Sequence, residues 1–163
     1  MKNNFTQSDG KSFDVEYFET DDFSNLPYDR CKQCRAVAFV DNEHIVIVKS
    51  GKSGEWGFPG GTIEKGESFE QTLVREFLEE ANAKIGSIQN IGYQVITDLN
   101  GLKEPFYQLR FKLKASPATE EGFCSKDPDK AVVEVKVVPI KEYKKYFDWG
   151  EIGDLIVKRA LDV

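Results

Sequence analysis

The sequence predicts an α/β sandwich in which a mixed β-sheet is covered by helices on both faces. Three observations carry that expectation. Short runs rich in β-branched and apolar residues recur from residue 35 onward. Two amphipathic segments, near residues 69–81 and 152–161, lie far apart along the chain and read as helices. Polar turns containing Gly, Asn or Asp separate the runs. Strands interspersed with distant helices favour a sheet sandwiched between helical layers.

The N-terminal thirty residues come first and are unusual. They hold Phe5, Phe13, Tyr17, Phe18, Phe23 and Tyr28 among many acids, too aromatic for a disordered tail. A Ser8-Asp9-Gly10 turn followed by a strand over 11–19 is expected. Two roles compete: a strand and loop covering a sheet edge, or an aromatic wall for a base or a homodimer contact. The expected organisation is one globular domain, with 1–30 an extension packed on 31–163. Residues 35–40 and 45–49 read as a hairpin around Asp41-Asn42, with His44 at its exposed end. A polar turn over 51–54 leads to 55–58 and then to a Gly loop. Ser68 and Gln71 make a capping-box pattern, so a helix begins after Ser68. Asn82 can end it in the left-handed conformation. Residues 88–97 are strand-like, and Asn100-Gly101 is a turn signal. From Tyr107 to Lys114, apolar residues alternate with Gln108, Arg110, Lys112 and Lys114, predicting a half-buried strand with a basic face. A strand over 132–138 and a closing helix over 152–161 complete the order.

The helix after Ser68 carries the chemistry. At about 100° per residue, with Ser68 as zero, Glu79, Glu76 and Glu80 fall near 20°, 80° and 120°. Leu73, Phe77, Ala81, Val74 and Leu78 spread over roughly 140° to 280°, and Phe69 is the one apolar residue on the wrong side. Like charges at i, i+3 and i+4 repel by a few tenths of a kcal/mol per pair. A hard cation offsets that repulsion, and Mg²⁺ or Mn²⁺ usually shares few carboxylates with substrate phosphates. A merely solvated acidic face is the alternative.

Taken together, Gly61, Glu67, Arg75, Glu76, Phe77, Glu79, Glu80 and Ala83 resemble the Nudix box: Gly, five residues, Glu, seven residues, Arg-Glu, apolar, any, Glu-Glu, any, Gly, apolar. Asn82 stands where the family has Gly. Trp56, Phe58, Pro59 and Gly60 look like the family's approach strand. The resemblance implies a Nudix-type α/β/α sandwich with a mixed β-sheet. It also implies hydrolysis of a diphosphate bond in a nucleoside diphosphate linked to another moiety. By the same resemblance Glu76, Glu79, Glu80 and the Gly60 carbonyl hold Mg²⁺ or Mn²⁺, Arg75 pairs with Glu67, and Glu76 is the base or orients it. Glu134 matches a place where many members carry a further metal-binding glutamate, against a plain solvent-facing residue. Gly61 suits close approach to phosphate, and Arg110 belongs to a face that either meets phosphate or is solvated. The FPGG approach is loosely similar to mutator-type nucleoside triphosphate pyrophosphohydrolases. A non-catalytic, nucleotide-sensing member of the same fold is the other class of function.

Composition bounds the partners. The 163 residues include 22 basic and 28 acidic ones, a net charge of −6. That disfavours nucleic-acid binding through the phosphate backbone. It leaves nucleotides open, because bound metal reverses the field at an acidic site. No apolar run approaches the roughly 20 residues of a membrane span, and the N-terminus lacks a secretion-signal centre. A cytoplasmic protein is expected. Cys31 and Cys34 form a lone CxxC; with Cys124 and His44 they would make a Cys₃His zinc site, against free thiols in a reducing compartment. Residues 120–130, with Asp127, Pro128 and Asp129, form a polar loop suited either to covering a site or to no role in it.

Overall fold

The computed structural model describes residues 1–6, 12–101 and 103–163. The expected Ser8-Asp9-Gly10 turn lies outside them. In chain order the elements are β1 (Lys2–Thr6), β2 (Ser12–Phe18), a 3₁₀ turn Tyr28–Arg30, β3 (Cys31–Phe39), β4 (His44–Ser50), β5 (Trp56–Gly57) and β6 (Gly60–Thr62). There follow α1 (Phe69–Ala81), β7 (Ala83–Asp98), β8 (Phe106–Pro117), β9 (Val132–Pro139), a 3₁₀ segment Ile140–Lys145 and α2 (Gly150–Asp162).

Nine strands form one mixed sheet in the order β1-β2-β7-β8-β3-β4-β5, with β6 also pairing β3 and β9 pairing β4. The β3–β8 pair is parallel; the other pairs are antiparallel. Because successive strand residues face opposite sides, β3 divides its side chains cleanly. Ala36 and Ala38 join Leu73, Phe77 and Ala81 of α1 in one core. Val37 and Phe39 join Ile152, Ile156, Val157 and Ala160 of α2 in the other. The two helices therefore cover opposite faces, as the sequence predicts.

Helix α1 begins where the capping box places it. Ser68 Oγ accepts from the Gln71 N–H at 3.1 Å, and Gln71 Oε1 accepts from the Ser68 N–H at 2.8 Å. It ends at Asn82, which is left-handed at φ 50°, ψ 45°. Asn82 does more than tolerate that conformation. Its Nδ2 donates to Thr119 Oγ1 and to the Gly122 carbonyl, both at 2.8 Å. The Cys124 and Lys126 N–H groups then donate to the Ala81 and Glu79 carbonyls. The polar loop expected to cover a site thus ties down the C-terminus of α1, satisfying carbonyls a helix end otherwise leaves open.

The N-terminal segment accounts for the misplaced Phe69. Phe23 meets Phe69 edge-on at 6.4 Å, and Tyr28 stacks on it at 5.7 Å. Strand β2 pairs with β7, and Tyr17 Oη donates to the Ile91 carbonyl at 2.8 Å. The segment thus extends the sheet beyond β7 and covers the start of α1.

Two expectations need correction. Val74 and Leu78, placed in the apolar stripe, are each 49% exposed. The sheet touches α1 along the line of Leu73, Phe77 and Ala81, and that line draws Glu80 inward instead. The basic face of β8 is not a solvated face either: Arg110 is buried and Lys112 donates to the Val163 carbonyl, so only Lys114 of the three is exposed. Helix α2 lies over that face, which a two-residue alternation cannot reveal. Cys31 and Cys34 sit inside β3 as buried free thiols, and burial pushes the Cys31 thiol up to about 11. His44 opens β4 beside Asp41, 2.9 Å away. No helix among the described residues is long and apolar enough to cross a membrane.

Candidate active site

The loop before α1 is held by one guanidinium. Arg75 Nε donates to Glu67 Oε1 at 2.7 Å and its Nη2 to Glu67 Oε2 at 3.0 Å, a bidentate pair. Nη2 also donates to the Thr62 carbonyl at 2.9 Å, and Nη1 to Glu76 Oε1 at 2.8 Å. Thr72 Oγ1 and the Glu64 N–H complete the shell around Glu67. With so many donors, led by Arg75, the Glu67 carboxyl is held down at about 2. Arg75 in turn stays firmly protonated.

The glutamates sit in three different settings. Glu80 is only 8% exposed, and its Oε2 accepts the Gly60 N–H at 2.8 Å. Burial pushes its carboxyl up to about 7, against the pull of that N–H. Glu76 is half-buried, and desolvation raises its pKa more than Arg75 lowers it. Glu79 is exposed at its carboxylate, 3.6 Å from Arg75 Nη1. Glu134 faces Lys49 across the β4–β9 ladder, with Lys49 at 3.9 Å and Lys136 at 3.4 Å as its ion partners.

Two glycines let the loop approach. At Gly60, φ is +127°, and an added Cβ would stand 2.2 Å from the Cys34 carbonyl oxygen, so only Gly fits. At Gly61 an added Cβ would stand 2.4 Å from the Glu76 carboxyl carbon. That carboxyl is the far end of a flexible side chain and can move. Gly61→Ala is therefore expected to leave the melting temperature nearly unchanged while lowering kcat on the order of tenfold, the lower range for disturbed ligand-orienting contacts. A melting curve and a kcat on the same preparation check both halves.

Hard oxygen donors, one of them a buried carboxylate with no ion-pair partner among the described residues, suit a divalent cation. Among those residues no three Asp, Glu, His or Cys side chains are gathered tightly enough to enclose an ion as they stand. Arg75 engages Glu76, and Gly60 engages Glu80. The donor chemistry fits the ion; the enclosure is open.

Beside the carboxylates lies a cavity of about 1030 Å³ lined by Glu80, Arg35, Arg110, Gln94, Trp56 and Trp149, among others. Its volume is that of a small-molecule site. Arg110 is thus brought to the site, whereas Arg35 and Trp149 were not anticipated. A signal for Arg35 existed: it is the one charge in the apolar run Cys34–Val40 of a central strand, where a lone charge needs a reason.

A single-sheet sandwich with a carboxylate helix behind a glycine loop defines the class, and the comparisons agree. The NUDIX domain family matches residues 32–158, and the chain belongs to that family. Among curated relatives, a protein of Bacillus subtilis (strain 168) provisionally named an 8-oxo-dGTP diphosphatase is 38% identical over 64 residues, 36% of this chain and 43% of that protein. The NAD-capped RNA hydrolase NudC of Mannheimia succiniciproducens is 46% identical over 46 residues, 28% of this chain and 17% of that protein. The chain thus spans less than half the length of these relatives. The Bacillus subtilis pyrophosphohydrolase BsRppH shares the fold with a TM-score of 0.68 at 14% identity, covering 98% of this chain and 96% of that one. The MutT protein of Bacillus halodurans does so with a TM-score of 0.59 at 18% identity, covering 80% and 82%.

Proposed function

We propose that this chain hydrolyses a diphosphate bond in a nucleoside diphosphate linked to another moiety, with Mg²⁺ or Mn²⁺ as cofactor. The observation that carries the reading is the set Glu76, Glu79 and Glu80, with Glu80 docked on Gly60 and Glu76 against Gly61, and with Glu80 itself lining a cavity of nucleotide size. Family membership and the relatives' names support the reaction class. Glu76, Glu79, Glu80 and the Gly60 carbonyl would hold the ion, which supplies charge neutralisation at the attacking and leaving oxygens. Glu76 is proposed to take the proton from the attacking water, or to orient the group that does. Burial raises its proton affinity toward the working range of a general base. Arg75 keeps Glu76 aimed and ties Glu67 and Thr62 to the helix, so the loop holds its shape around the phosphate.

A screen of nucleoside triphosphates, nucleotide sugars, ADP-ribose and dinucleotides with Mg²⁺ or Mn²⁺ tests the proposal. Turnover of at least one class, abolished by chelator, is expected. Glu79→Gln should raise the concentration of metal needed for half-maximal rate about 10–100-fold, the scale on which altered metal shells act. Tight nucleotide binding with no turnover of any class would replace the enzyme by a nucleotide sensor.

A further inference from the structure

Arg35 and Arg110 are register partners on the adjacent parallel strands β3 and β8. Their side chains leave the sheet on the same face, and both line the cavity. Two like charges side by side need compensation, and the described residues supply no ion pair to either. The described partners of Arg110 are all neutral: the Leu109 carbonyl at 3.3 Å, Gln108 Oε1 at 2.8 Å, Gln94 Oε1, and the Trp149 ring at 5.7 Å. Its Nε has no acceptor among the described residues, although the residue is only 3% exposed. Arg35 donates to the Phe58 carbonyl at 2.9 Å. Glu76 and Glu80 act on Arg35 through space without forming an ion pair with it. A buried guanidinium with an orphaned N–H and a cationic neighbour is costly unless an anion arrives. In keeping with that, burial first and Arg35 second push Arg110 down to about 9.

Position sets Arg110 apart from the diphosphate, with Arg35 standing between the two. Gly60, on which Glu80 docks, is the register partner of Arg35 on one side, and Arg110 is its partner on the other. Two strand spacings, about 10 Å, therefore lie between the Gly60 backbone and that of Arg110. An oxyanion seated on Arg110 is a different group from the one between the carboxylates. Guanidinium forks match phosphate oxygens in pairs, and a neutral base edge would leave both charges uncompensated. Trp149 and Trp56 line the same cavity and supply aromatic surface for the rest of the ligand.

We propose that Arg35 and Arg110 form an anion subsite for a second phosphate of the substrate, separate from the diphosphate that is cleaved. The substrate class is then a nucleoside diphosphate derivative bearing an additional phosphomonoester. This rests on the diphosphatase reading for its reaction, but not for its anion binding.

Two measurements decide it. In the first, metal-free protein is melted with and without inorganic phosphate. Wild type should be stabilised, Arg35→Gln and Arg110→Gln should not, and Arg110→Lys, which keeps the charge, should recover part of the shift. Arg35→Gln carries the test should Arg110→Gln fail to fold. In the second, ADP-ribose is compared with its 2′- and 3′-phosphorylated counterparts as substrates under Mg²⁺. One phosphorylated form should show a kcat/KM about tenfold or more above the parent, on the scale of a single charge-assisted pair, and the preference should vanish in both Gln variants. Equal efficiency across the panel, or a preference that survives both variants, overturns the subsite and leaves the diphosphatase reading standing. Hydrolysis of none, with phosphate protection lost in the variants, supports the subsite and excludes ADP-ribose derivatives as substrates; the diphosphatase reading falls only when the full nucleotide screen also shows no turnover.

Discussion

Glu76→Gln is expected to lower kcat by about 10²–10⁴-fold, the range for loss of a general base, with little change in melting temperature. The amide keeps the length and planar shape of the carboxylate, and its oxygen can still accept from Arg75 Nη1, now 2.8 Å from Glu76 Oε1. Burial already disfavours the charged form of Glu76, so a neutral side chain costs the fold little. What disappears is the group able to take a proton beside Gly61. Steady-state kinetics with saturating metal and a melting curve on one preparation separate the two effects. Wild-type turnover in the variant would remove Glu76 from the chemistry.

Arg75→Ala should damage both stability and activity. Four acceptors lose a donor at once: both oxygens of Glu67, Glu76 Oε1 and the Thr62 carbonyl, of which Glu67 Oε2 keeps others, from Thr72 and Glu64. A hydrogen bond to a charged group contributes about 1.5–3 kcal/mol net of solvent, and because these bonds share one guanidinium they are not additive, so a loss of about that size is expected for the cluster as a whole. Activity should fall about 100-fold, the upper range for loss of a ligand-orienting partner. The effect has a pH signature. The Glu67 carboxyl is held at about 2 in the folded protein, below its ordinary 4.5, chiefly by Arg75. A depressed carboxylate stabilises the fold above the unfolded pKa, and the contribution is lost as pH falls toward the folded one. Wild-type stability attributable to this pair is therefore fully present at neutral pH and declines from about pH 4.5 toward 2. The variant should lack that segment of the decline. Urea titrations at pH 7, 4 and 3 on both proteins measure it, and parallel losses would exclude the pair as the source.

The legibility of the site followed from its locality. Ser68, Gln71, Arg75, Glu67 and the glutamates lie within one loop and one helix, so their mutual contacts are set by helical spacing and a capping box. Asn82 in place of Gly was readable as a tolerated left-handed residue. Its hydrogen bonds to Thr119 and Gly122 were not, because their partners come from nearly forty residues away. Phe69 seemed misplaced for the same reason: Phe23 and Tyr28, which cover it, belong to the N-terminal segment. Arg110 read as a surface residue because alternation reports that two faces differ, not which of them a helix later covers.

Local pattern alone established a helix bounded by Ser68 and Asn82, a glycine loop before it, and a cluster of carboxylates along one side of the helix; the tie to Arg75 came from the family resemblance. Short-range sterics and hydrogen bonds settle such features within a few turns of chain. The burial of Glu80 against Gly60, the meeting of Arg35 with Arg110 across two strands, and the closing of the cavity by Trp149 were decided by the assembled sheet. Each joins segments distant in the chain, and their pairing is chosen by burial of the two cores as a whole, a sum no single window of residues contains.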